Sequence, residues 1–327
     1  NRQELIRRLN MAPNGTPFLV SMREDLIKFL PTNNDLKNLD EDIRHLFKSW
    51  FNPGFLRLER ITWETKAAIL EKIIRYEKVH QIKDMSDLKR RLQQDDRRFF
   101  AYFHPILKDE PLIFVEVAFT RGVGRSIQQL IKPKTNESIN YDTATFYSIN
   151  NCQDGLMRVT LGNFLIKRVV FEIQQECPKI KHFGTLSPLP GFADWFFSLS
   201  GTQLQNILKN YDISKLEFLK SPQLKIGDPK IIKEEEALKK LVSHYLINEK
   251  INNKPLNPVS RFHLGNGASI YDIIINGNVS DYGYSESFGI MVNYGYQLDK
   301  LEHIHEDFIT KGKISYSEKI KKYVQSK

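Results

Sequence analysis

The stretch ATFYSINNCQDGLMRVTLGNFLIKRVVFEIQQECPKIKHFGTLSPLPGF, residues 144–192, decides the fold class. Its first six residues, Ala144 to Ile149, are rich in β-branched and aromatic side chains and read as a strand. A glycine-containing loop follows, and then a helical run from Asn163 to about Glu176. Within that run Phe164-Leu165-Ile166 and Val169-Val170-Phe171 are interrupted by Lys167, Arg168 and Glu172, the pattern of an amphipathic helix. A second strand, His182 to Leu186, leads into the rigid turn Ser187-Pro188-Leu189-Pro190-Gly191 and a helix over Ala193 to Leu199. Strand, loop, helix and strand in that order mark a mixed α/β region.

Working outward, period two continues upstream in Phe99 to His104 and Leu112 to Phe119. Before a charged stretch around Lys83 to Arg98 the pattern is helical. Leu26, Ile27 and Leu30 recur at helical spacing before Pro31, Asn34 caps a segment carrying Leu36, Leu39, Ile43, Leu46 and Phe47, and a third helix starts near Thr62. Downstream, helices run to about residue 247, and the last eighty residues alternate short strands, such as Ser269 to Ile275 and Gly289 to Tyr296, with loops. The expected class is therefore α+β, with an all-helical domain over residues 1–83 and a mixed α/β domain over 84–327.

Of the 327 residues 41% are hydrophobic and 11% aromatic, enough to bury a sizeable core, which excludes intrinsic disorder. No apolar run approaches the ~18–20 residues needed to cross a bilayer. The net charge of +9 favours anionic partners, but Lys and Arg are dispersed rather than gathered with aromatics, so nucleic acid is not an expected partner and neither is a membrane. Two cysteines, Cys152 and Cys177, provide no disulfide framework and suit a reducing compartment. Asn1 in place of an initiator Met reads as a chain that starts inside a longer protein.

The motif search removes several chemistries. G-x-S-x-G, G-x-x-x-x-G-K-[ST], G-x-G-x-x-G and H-E-x-x-H are all absent. His303 and His305 lie two apart, on different faces of a helix, with no Cys nearby, and no metal site is expected there. The loop Gln153 to Asn163 stands between a strand and a helix N-terminus, where free backbone N–H groups and the helix dipole favour an anion such as pyrophosphate. Taken alone it serves equally as an ordinary strand-to-helix turn. Likewise the turn at Ser187 can be a simple helix entry and His263 a satisfied core histidine; their spacing proves nothing.

Taken together, the segments resemble the malonyl-CoA decarboxylase family. The resemblance rests on Trp50-Phe51-Asn52-Pro53-Gly54-Phe55-Leu56, Thr145-Phe146-Tyr147-Ser148-Ile149, Leu161-Gly162-Asn163-Phe164-Leu165-Ile166-Lys167-Arg168-Val169-Val170, Leu186-Ser187-Pro188-Leu189-Pro190-Gly191-Phe192, Asn257-Pro258 with Phe262-His263-Leu264, and Gly289-Ile290-Met291-Val292-Asn293-Tyr294. It implies a helical N-terminal domain used in subunit association, here lacking part of its start. Behind it would stand a GNAT-like mixed α/β catalytic domain that binds acyl-CoA. Malonyl-CoA would be converted to acetyl-CoA and CO2 with no metal and no cofactor beyond the CoA of the substrate.

The same resemblance places the catalytic residues at Ser187 and His263 and the CoA-binding loop on Met157, Arg158, Val159, Thr160, Leu161, Gly162 and Asn163. It sets Ser148 and Tyr296 near the malonyl pocket. The expected chemistry is an enolate stabilised and protonated by the Ser/His pair. A homo-oligomer is implied, in the bacterial cytoplasm or, in a eukaryote, in mitochondria or peroxisomes. Other readings remain open on sequence alone: an acyl-CoA N-acyltransferase of the same fold, and a non-catalytic CoA-sensing or, as the +9 charge permits, nucleic-acid-binding protein.

Overall fold

The computed structural model describes residues 2–132, 140–159, 165–221 and 224–324. In chain order the elements begin with α1 (Arg2–Asn10), α2 (Gly15–Phe29), α3 (Lys37–Trp50), β1 (Arg57–Arg60), α4 (Ala67–Tyr76), α5 (Met85–Gln93), β2 (Arg97–Phe103) and β3 (Pro111–Thr120). They continue with α6 (Ile127–Ile131), β4 (Thr143–Asn151), α7 (Leu165–Glu176), β5 (His182–Thr185), β6 (Ser187–Pro188), α8 (Phe192–Ser198), α9 (Gly201–Leu208), α10 (Pro229–Lys233) and α11 (Glu235–Ile247). The remainder is β7 (Lys250–Ile251), β8 (Lys254–Pro255), α12 (Pro258–Gly265), β9 (Ser269–Ile274), α13 (Asp281–Ser287), β10 (Met291–Gly295), α14 (Leu301–Lys311) and α15 (Glu318–Val324). Two compact units result, Asn1–Val117 with Ser148–Glu176, and Ala118–Tyr147 with Cys177–Lys327. β3 and β4 thus each contribute residues to both.

In the first unit α1, α2 and α3 bury Ile6, Leu19, Val20, Leu26, Ile43, Leu46 and Phe47. Asn33 rather than Asn34 is the cap here, and it caps the short 3-10 turn Asn34–Leu36 that leads into α3; its side chain accepts from Asp35 N–H at 3.2 Å. A strand interrupts the helical run: β1 lies antiparallel to β2, with Arg57 opposite Phe103 and Arg60 opposite Phe100. Ile69, Leu70 and Ile73 of α4 join Leu88, Phe99, Ala101, Phe103 and Phe114 in one apolar cluster. Each leucine, isoleucine or phenylalanine among them is worth about 1.5–3 kcal/mol when fully buried.

The charged stretch before β2 proves to be helix α5. Its N-cap Asp84 accepts from Asp87 N–H at 2.8 Å, Leu88 joins the core, and buried Arg91 lies 3.4 Å from both Asp87 and Glu116. Paired charges that bury long side chains look in sequence like a solvated segment.

In the second unit the first part of β4 runs parallel to β5, Thr143 opposite His182 and Phe146 opposite Thr185. Strand β10 lies antiparallel to β5, β6 and β9, with Val292 opposite Ser187 and a register shift at Asn293/Tyr294. Ala118, Ile127, Leu130, Tyr147, Leu186, Ile274 and Met291 form an apolar cluster there. The last eighty residues are more helical than their alternation implies, because α12 to α15 are short and start on local signals rather than long apolar stripes. Ser280, for example, caps α13 by accepting from Gly283 N–H at 3.1 Å.

Candidate active site

Ser187 sits on β6, fixed by pairing with β10, and the chain then turns through Pro188, Pro190 and Gly191. Gly191 has φ 74°, a left-handed conformation that costs glycine little, and its N–H donates to Glu286 at 3.1 Å. Asn257 ties this turn to the helix that carries His263. Its Nδ2 donates to Pro190 O at 3.0 Å, and its Oδ1 caps α12 by accepting from Ser260 N–H at 2.8 Å. Pro258 at the first helical position completes a standard helix start.

From α12 the imidazole of His263 reaches Ser187 Oγ with Nε2 at 2.9 Å and Tyr296 Oη with Nδ1 at 2.8 Å. Its ring stacks on Tyr294, centroids 4.5 Å apart and planes 25° apart. All four residues are buried. Ser187 Oγ also lies 2.8 Å from Thr185 Oγ1, which accepts from Tyr294 N–H at 3.1 Å. Burial is the whole cause of the shift in His263, whose pKa is pushed down to about 3, and burial also holds the Tyr296 phenol well above its usual value. At neutral pH the imidazole is therefore uncharged and the phenol protonated.

Ser187 O–H donates to Thr185 Oγ1, so Ser187 Oγ is left to accept. The tautomer compatible with that direction carries the ring proton on Nε2, which donates to Ser187 Oγ, and leaves Nδ1 to accept from Tyr296 O–H. This polarity is the reverse of a nucleophilic dyad, in which the imidazole accepts the serine proton. Here serine receives a hydrogen bond and the neutral histidine presents an N–H donor.

The first unit holds the other expected residues. Leu156 to Val159 form a type II turn: Met157 has φ −53° and ψ 132°, Arg158 has φ 63°, and Val159 N–H donates to Leu156 O at 2.9 Å. A non-glycine residue at that left-handed position costs about 1–2 kcal/mol. Met157 and Arg158 are exposed and Val159 is buried. Thr160, Leu161, Gly162 and Asn163 lie outside the described residues. Ser148 is buried, and its hydroxyl donates to Glu77 at 2.7 Å. That carboxylate also accepts from Asn150 Nδ2 at 2.9 Å and from Val79 and His80 N–H at 2.7 and 2.6 Å. Ser148 is thus committed to a buried carboxylate network.

A cavity of about 870 Å³ in the second unit has Tyr296 in its wall beside Phe183, Tyr271 and Gln297, whereas Ser187 and His263 do not line it. Sequence reasoning missed Thr185, Tyr294 and Asn257. Only Asn257-Pro258 carried a readable signal, the cap and first-turn proline of a helix.

Comparison with known proteins matches the chain to two family models in tandem: residues 1–51 to the malonyl-CoA decarboxylase N-terminal domain and residues 54–327 to the malonyl-CoA decarboxylase C-terminal domain. The mitochondrial malonyl-CoA decarboxylase of Anser anser anser is 35% identical over 346 residues, covering 98% of this chain and 68% of its own length. The mitochondrial enzyme of Rattus norvegicus is 33% identical over 343 residues, 97% and 69% of the two chains. The crystal structure of malonyl-CoA decarboxylase from Rhodopseudomonas palustris superposes with a TM-score of 0.91 at 44% identity, covering 98% of this chain and 79% of that one. That from Agrobacterium vitis gives 0.87 at 44%, with 99% and 80% covered. With both domain models matched in order and relatives at this identity aligned over almost the whole of this chain, the chain belongs to the malonyl-CoA decarboxylase family.

Proposed function

We propose that the Tyr296–His263–Ser187 chain carries the family's reaction, the carboxy-lyase conversion of malonyl-CoA to acetyl-CoA and CO2. Breaking the carboxylate–carbon bond releases CO2 and sends its electron pair into the thioester carbonyl, giving an enolate. A preorganised donor toward that oxygen, held away from water, contributes about 3–4 kcal/mol. The enolate carbon then takes one proton. His263 Nε2–H is the acid and polarising donor, and Ser187, hydrogen-bonded to it, is oriented on the malonyl group. As Nε2 gives up its proton, Nδ1 takes the phenol proton of Tyr296, so the ring never has to become an anion; solvent restores the phenol. Net consumption is one proton per turnover. No acyl-enzyme is needed, in keeping with a serine that accepts rather than gives a proton to histidine.

The observation that carries this reading is the hydrogen bond at each nitrogen of one buried, neutral imidazole. For the nucleotide end of the substrate we assign the loop from Met157 to Asn163, whose described part offers the exposed Arg158 at a left-handed position. Burial is the main cause that lowers the Arg23 pKa, and Arg44 and Arg158 lie near enough to lower it further, so cations gather beside this turn and favour an anion. The reading calls on no cofactor. Exposed Leu5, Leu9, Met11 and Phe18 on and beside α1 and α2 support self-association through residues 1–83. Among the described residues no helix is long and apolar enough to cross a membrane.

The test is malonyl-CoA turned over in D2O, with acetyl-CoA read by mass spectrometry against an enzyme-free control. One deuterium in the product methyl group is expected. Acetyl-CoA formed without deuterium would remove the solvent-exchangeable acid, and free CoA appearing only with an added amine would make the protein an acyltransferase.

A further inference from the structure

Arg23 on α2 belongs to the segment matched by the N-terminal family model, and it is 1% exposed. Its guanidinium is divided among three groups. Nε donates to Asp40 Oδ1 at 2.8 Å, and Nη1 donates to Gly155 O at 2.6 Å and to Met157 O at 2.9 Å. The two carbonyls lie 132 and 134 positions along the chain, in the segment matched by the C-terminal model. The backbone at Gly155 meets α2 so closely that a Cβ there would stand 2.0 Å from Val20 O.

Met157 O is the carbonyl of the central peptide of the type II turn, and the orientation of that peptide is what separates type II from type I. A trans peptide points its N–H opposite to its C=O. By taking Met157 O, Arg23 turns Arg158 N–H away from the buried guanidinium. It also holds Arg158 in the left-handed conformation, which this residue would leave if the peptide flipped. We infer that Arg23 is a positioning residue for substrate binding: from the N-terminal helical region it locks the turn at Leu156–Val159 so that Arg158 is presented to the diphosphate of CoA. This rests on the assignment of that loop to the nucleotide end of the substrate.

Arg23→Lys keeps a charge beside Asp40 and loses the planar fork that reaches Asp40 through Nε and both carbonyls through Nη1 at once. Gly155→Ala leaves Arg23 and its ion pair in place and forces the turn off α2, an independent route to the same displacement. For each folded variant, verified by its melting temperature, kinetics are compared for malonyl-CoA and for malonyl-pantetheine, which lacks the nucleotide. Expected is a rise of about tenfold in KM for malonyl-CoA alone, with kcat near the unmutated value on both substrates. A role limited to stability would lower the melting temperature and leave the ratio of the two KM values unchanged. Arg158→Glu serves as the control for the underlying assignment. If it shifts that ratio while Arg23→Lys and Gly155→Ala do not, Arg23 does not position the turn. If none of the three shifts it, the turn does not touch the nucleotide and both readings fall.

Discussion

Replacing Tyr296 with Phe removes one hydroxyl and keeps the ring, so the edge contact with Phe146 at 6.4 Å survives. What disappears is the donor to His263 Nδ1 at 2.8 Å. The abandoned lone pair costs about 1–3 kcal/mol in a buried site, a loss of several degrees in melting temperature at most. Two kinetic effects add to this. First, the neutral ring's tautomers approach equal energy: Nε2–H still donates to Ser187 in one, whereas Ser187 donates to Nε2 in the other, leaving about half the molecules competent. Second, the ring loses the proton that replaces the one it gives, and that general-acid contribution is worth about 10²–10⁴ in rate. Together these predict kcat lowered about 10²-fold or more. The assay is initial acetyl-CoA formation at saturating malonyl-CoA, in H2O and D2O, beside a thermal melt. A folded variant with kcat within about threefold of normal and an unchanged solvent isotope effect would refute proton supply through Nδ1.

Four further outcomes are expected. His263→Asn and Ser187→Ala should each lower kcat by roughly 10² or more with melting temperature nearly kept; near-normal turnover in either folded variant removes that residue from the mechanism. Between the ordinary imidazole value of 6.5 and the buried value of about 3, the unfolded chain binds a proton that the folded chain does not. His263 therefore contributes stability in full above pH 6.5 that is lost as pH falls toward 3, and melts across that range should decline less steeply for His263→Asn than for the unmutated protein. Dialysis against EDTA should leave turnover unchanged; loss that added metal restores would overturn the cofactor-free reading. Light scattering at micromolar concentrations should show a dimer or larger species, and a monomer throughout would contradict association through the N-terminal helices.

Legibility in the sequence followed the range of the interactions. The strand at Leu112 to Phe119 was readable because all ten residues of β3 are buried and strand-forming residues run unbroken. Helix α7 was readable from its stripe. The helix α5 was not, since Asp87 and Arg91 turn inward as a charged pair and imitate solvent-facing residues. In the site, the resemblance supplied Ser187, His263 and Tyr296, and the structure brings these three together. Thr185 and Tyr294 were invisible because a threonine or tyrosine on a buried strand has no local mark of its partner. Ser148 shows the same limit from the other side: its hydroxyl is taken up by Glu77, 71 positions away, and no spacing rule reaches so far.

The sharing of β3 and β4 between the two compact units also bears on how the chain is made. Synthesis proceeds from the N-terminus at about 5–20 residues per second, and Asn1–Val117 emerges before the residues that complete its unit, Ser148–Glu176. The nascent first unit must therefore wait, with Ile113, Phe114 and Val115 of β3 lacking the second half of β4, until the intervening part of the second unit has left the ribosome. Native closure of either unit joins residues far apart in sequence, a topology that folds slowly. A fragment cut at residue 117 would not be a domain set free but an unfinished one, with an apolar strand open to pairing with another chain.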